Sequence, residues 1–169
     1  MRRLLVPFLI LAALFPAAAL SGSTAPSDGT LAVRDARGKI TLVLRGSLIG
    51  RFGNGTLKIE DLAVNEGSDP VVRGYEKVKW GRGNAPTYSG KNIRFRIIGG
   101  HYRVTFSAKA VYFSLVGKGR VLLDGTGSVE DGVFYDGFYS LNGAGEESLP
   151  DEPTWLLLAP PPPPPQSSG

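Results

Sequence analysis

Apolar residues recur at every second position of this chain, and that period limits what it can fold into. In "KITLVLRGSLIGRF" (Lys39–Phe52), Ile40, Leu42, Leu44, Leu48 and Phe52 fall on even positions, with Thr41, Arg45, Ser47 and Arg51 between them. Successive side chains of a strand point to opposite faces, so the alternation predicts one buried face and one wet one. From Thr30 to Leu141 no sustained 3.6-residue period interrupts it. The expected fold is all-β: an antiparallel meander of hairpins forming a curved β-sandwich or a partly open barrel. A β-solenoid is the alternative, although the chain shows no fixed repeat.

Three glycine-containing turns supply expected registers. Asn54-Gly55 has the composition of a type I′ turn and sets Phe52 against Leu57 and Gly50 against Ile59. Within "KNIRFRIIGGHYRVTFSAK" (Lys91–Lys109), a turn at Gly99-Gly100 pairs Ile97 with Tyr102, Phe95 with Val104 and Ile93 with Phe106. A third turn, Asp131-Gly132, sets Val129 against Phe134 and Phe138 against Gly125. Glycines inside strands, such as Gly46, Gly50, Gly117 and Gly119, mark bends or close backbone approach and point to strong curvature.

The ends of the chain differ from this body. "MRRLLVPFLILAALFPAAALSGS" has a basic start, an apolar run from Leu4 to Phe15, then small residues. That order reads as a secretory signal over residues 1–21, cleaved before Leu20 or Gly22. The run is shorter than the roughly 20 residues of a helical span, so no stable transmembrane segment is expected after cleavage. The expected location is the cell envelope or the exterior. Residues 22–29 read as a short flexible segment, 30–142 as a single all-β domain, and 143–158 as an acidic segment with a docked apolar strand or cap. Residues 159–169, with six consecutive prolines from Pro160, read as a disordered tail.

With no cysteine and one histidine, the chain lacks disulfides, thiolate nucleophiles and the usual ligands of a transition metal. No metal, cofactor or catalytic residue is therefore expected, and binding or structure is the expected role. The alternative is a carbohydrate-active hydrolase whose carboxylates gather in a sheet concavity. Glu60, Asp61, Asp124, Glu130, Asp131 and Asp136 are its candidates.

Charge is distributed unevenly. Between Arg73 and Arg103 the chain holds eight Lys or Arg against Glu76 alone, whereas after Arg120 every charged residue is acidic. Loss of Arg2 and Arg3 with the leader takes the net charge from +4 to +2. The segregation matters more than the sum. In the expected hairpin, Arg94, Arg96, His101 and Arg103 share one face, and Arg96 faces Arg103. Like charges placed opposite one another are unfavourable. Either the acidic C-terminal third neutralises this face, or water does, or an anionic ligand binds there. The candidate ligands are an anionic glycan, a wall polymer or lipid head groups; nucleic acid is not expected for an exported protein. Tyr75, Trp80 and Tyr88 lie in the same basic segment and complete the candidate binding set.

Overall fold

The computed structural model describes residues 28–127, 129–130 and 133–160. The expected leader and residues 161–169 of the tail lie outside these. Ten strands follow in order: β1 (Gly29–Asp61), β2 (Val71–Arg73), β3 (Lys77–Trp80), β4 (Pro86–Ile97), β5 (His101–Gly125), β6 (Val129–Glu130), β7 (Val133–Phe134), β8 (Phe138–Leu141), β9 (Glu147–Ser148) and β10 (Thr154–Leu158). A 3₁₀ turn, Arg82–Asn84, separates β3 from β4. Eight of the strands form one open antiparallel sheet with the path β10-β5-β1-β4-β2, and β6 and β7 form a separate ribbon. The antiparallel all-β architecture inferred from the two-residue period is the one observed. Every pairing among the described residues is antiparallel, unlike the parallel stacking of a β-solenoid.

Two strands dominate. β1 has 33 residues and β5 has 25, and they pair with each other twice. Leu42 opposes Val104 on one flank and Val121 on the other; Phe106 opposes both Ile40 and Leu57. Segment 38–45 is thus hydrogen-bonded to β5 on both sides. The long strands must bend sharply to achieve this, and register shifts occur near Asp35 (φ 49°) and Gly38. At one close approach of β1 and β5, Gly46 opposes Gly117. A Cβ on Gly117 would lie 2.3 Å from the Arg45 carbonyl oxygen, and one on Gly46 would lie 2.2 Å from that of Val116. Only glycine permits that approach.

The alternation in sequence becomes one core. Ile40, Leu42, Leu44, Leu48, Phe52, Leu57 and Ile59 of β1 are buried with Ile93, Phe95 and Ile97 of β4 and the matching residues of β5. Four phenylalanines form its centre: Phe106 lies 5.1 Å from Phe95 and 5.6 Å from Phe113 between ring centroids, and 6.4 Å from Phe52. Burying such a side chain contributes about 1.5–3 kcal/mol, so a core of this extent holds the fold without disulfides.

The turns differ from expectation in instructive ways. Asn54-Gly55 is not a turn: β1 runs straight through it, with Asn54 opposite Lys91 and Lys109. A type I′ turn requires positive φ at both residues, and here only Gly55 has it (φ 145°). Glycine is needed there because a Cβ would lie 2.5 Å from the Ala108 Cα.

Gly99-Gly100 does not close a hairpin either. Both residues have positive φ, yet β4 and β5 do not pair; they lie end to end along the same flank of β1. Leu48 pairs with Ile97, and Arg45 pairs with His101. The link is satisfied by other partners, since Gly46 N donates to Gly100 O, Gly99 N to the Ser47 hydroxyl, and Ser68 N to Ile98 O. Around residues 129–134 the expected pairing of Val129 with Phe134 is present; residues 131 and 132 lie outside the described set. Phe138 does not reach Gly125, however, and pairs instead with Arg34 and Ser148.

Candidate functional site

Parity along each strand decides which side chains reach solvent, and β4 turns Arg94 and Arg96 outward while Ile93, Phe95 and Ile97 turn inward. Their neighbours come from β1 and β2 rather than from β5. Arg94 lies between Arg51 and Arg73 in the ladder, and Arg96 lies between Ile49 and Val71. Adjacent strands are about 4.8 Å apart, so Arg51, Arg94 and Arg73 form a row roughly 10 Å long across three strands. On the far side of Arg51 the row continues to Tyr112 of β5.

These residues line an open trough of about 760 Å³. Ile49 and Val71, 56% and 38% exposed, give its surface an apolar component, and Phe95 and Phe113 lie beneath. Five arginines line it (Arg34, Arg51, Arg73, Arg94 and Arg96), and no carboxylate does. Two of the five have partners. Arg34 is paired with Glu146 at 2.6 Å, and the Arg51 guanidinium lies 4.8 Å from the centre of the Tyr112 ring. Arg73, Arg94 and Arg96 have no ion pair or side-chain hydrogen bond among the described residues.

The expected set is therefore divided. Arg94 and Arg96 belong to the trough. Arg103 does not face Arg96; it pairs with Val43 and Glu60 and donates to the Glu60 carboxylate at 2.8 Å. Lys58 and Arg103 together hold the Glu60 carboxyl below its ordinary range, Lys58 more strongly. His101 begins β5 opposite Arg45, whose other flank pairs with Lys118, and it lines a separate hollow with Arg120 and Leu157. Tyr75 and Tyr88 pack at 5.0 Å between centroids near the β3–β4 pairing, and burial raises the Tyr88 hydroxyl pKa. Trp80, 62% exposed, closes β3 opposite Pro86. None of these aromatics lines the trough. The acidic C-terminal third answers Arg34 through Glu146, and none of its described carboxylates pairs with Arg73, Arg94 or Arg96.

No protein-family model, curated protein or solved structure matches this chain. What the trough can do follows from its own residues. Arg51 was legible as a polar residue of an alternating strand and Arg73 as a member of the basic segment, but nothing local in the sequence joins β1, β4 and β2.

The described carboxylates among those considered for hydrolysis have separate surroundings. Glu60 is engaged by Lys58 and Arg103, and Asp61 accepts from the Ala63 amide at 2.9 Å. Asp136, 6% exposed, accepts from the Thr126 hydroxyl and the Gly127 amide. Asp124 lines a hollow with Lys39, Lys109 and Asn54 and no second carboxylate. The side chain of Glu130 and all of Asp131 lie outside the described residues.

Proposed function

We propose that this chain is an extracytoplasmic binding domain whose arginine trough holds an anionic polymer of the cell envelope, such as a glycan or wall polymer bearing carboxylate, sulfate or phosphate groups. One observation carries the reading: Arg51, Arg94 and Arg73 stand side by side with no carboxylate lining the trough. Guanidinium forks bind such anions bidentately, and a row at strand spacing offers successive anionic groups successive partners. The open shape suits a chain that runs across the sheet better than a small molecule that must be enclosed. Ile49 and Val71 supply apolar contact between the charges.

The test is a titration of the purified protein against anionic and neutral polysaccharides at several salt concentrations, alongside an Arg73→Ala/Arg94→Ala/Arg96→Ala variant. The expected result is saturable binding to the anionic polymer only, weakened by salt and reduced at least about tenfold in the variant, equivalent to about 1.4 kcal/mol. Equal binding by the variant would remove the trough from consideration.

A further inference from the structure

A second surface carries its own signal, on the opposite edge of the strand path. Among the described residues β10 pairs only with β5, which makes it an edge strand there. Its sequence, Thr-Trp-Leu-Leu-Leu, alternates: Leu158 is buried and Leu156 packs against the core, whereas Trp155 and Leu157 face outward, 54% and 72% exposed. Edge strands are usually protected by charge or proline within the strand. This one presents two large apolar side chains instead.

Cations surround them. Leu157 pairs with Arg120, whose guanidinium lies 5.1 Å from the centre of the Trp155 ring. Lys118 and Arg45 line the adjoining hollow of about 430 Å³, which no carboxylate lines. Arg45 is paired with Glu66, but Lys118 and Arg120 have no carboxylate partner among the described residues. The acidic residues nearest in sequence, Asp151 and Glu152, precede the strand at the end away from Lys118.

We propose that this face docks on an anionic lipid surface, with Trp155 and Leu157 entering the head-group layer and Lys118 and Arg120 meeting the lipid phosphates. Tryptophan favours the boundary between water and hydrocarbon, and cations beside an apolar patch are drawn to acidic head groups. Charge argues against the simplest other occupant, a second copy. A two-fold contact brings each patch against itself, so Lys118 and Arg120 would face their own counterparts. The face is separate from the arginine trough: the two share no lining residue.

The experiment uses the full chain with Trp80→Phe, which leaves Trp155 as the sole tryptophan. Emission is recorded with phosphatidylcholine vesicles, with and without added phosphatidylglycerol, and with a lipid-borne quencher. The expected result is a blue shift and quenching of Trp155 with phosphatidylglycerol vesicles, reversed by salt. Lys118→Glu/Arg120→Glu should abolish both signals, Leu157→Ala should weaken them, and Arg94→Ala/Arg96→Ala should leave them intact. Four results would overturn the proposal. Trp155 staying in water with acidic vesicles is one, and an equal shift with neutral vesicles is another. The third is a vesicle-free shift that tracks self-association in sedimentation. Loss of the signals in the Arg94/Arg96 variant would transfer the lipid to the trough and overturn it as well.

Discussion

Arg94 stands between Arg51 and Arg73 with nothing acidic beside it, and the fold bears the repulsion. Opposed like charges on a sheet cost about 0.2–1 kcal/mol. Arg94→Gln should therefore raise the unfolding free energy by an amount in that range, read as a higher denaturant midpoint, while lowering affinity for an anionic polymer. A residue kept for stability would show the reverse, so a lower midpoint would count against the site. Glu60 is the contrast, a carboxylate already answered by Lys58 and Arg103. Its folded pKa is depressed, so its contribution is fully present above the ordinary glutamate pKa of about 4.3 and is lost as pH falls through the lower folded value. These partners are partly exposed, which limits the effect to about 0.2–1 kcal/mol. Stability measured from pH 7 down to pH 3 should fall less steeply in Glu60→Gln than in the parent. Outward orientation was legible in the sequence for Arg51, Arg94 and Arg96 because parity within a strand survives any choice of partner. Who stands beside them was not legible, because that depends on which strands become neighbours.

At the scale of the element, glycine means different things in different surroundings. Gly99-Gly100 has the positive φ values of a turn, yet β1 offers a flank long enough to pair with both arms in succession, and this wins over local pairing. Asn54-Gly55 shows the opposite case, a dipeptide with turn composition drawn straight because β4 and β5 bond it from both sides. A short window of sequence cannot separate these outcomes, since the deciding partners are tens of residues away. The glycines inside strands were better guides, and Gly46 and Gly117 mark a close approach of β1 and β5. Gly117→Ala would push a methyl group into the Arg45 carbonyl, with backbone on both sides and no flexible side chain to yield. The expected loss is at least about 3 kcal/mol. Thermal unfolding checks this, and a melting point within a degree or two of the parent would show that the strands can part there without penalty.

For the whole molecule, the double pairing of β1 with β5 concentrates stability. Amides in segments 40–44 and 102–106 sit in strands bonded on both flanks, whereas β2, β9 and β10 are short and peripheral. Hydrogen exchange followed by mass spectrometry should show the first group opening only with global unfolding and the second far sooner. Uniform protection would contradict that hierarchy. The class of the fold was legible because the period of two runs the length of the body. The path was not, because each β1–β5 pair joins residues more than 40 positions apart and competing hairpins satisfy the same alternation.

β10 has a mechanical consequence. It is the last strand before the proline-rich tail and is held by five residues along one side, while the strand it leans on is gripped along two. A pull transmitted through the tail therefore meets a short, singly bonded ladder before it meets the body. Under tension the molecule should yield in two stages: β10 would come away first at low force, leaving the β1–β5 frame closed until a much larger load opens it.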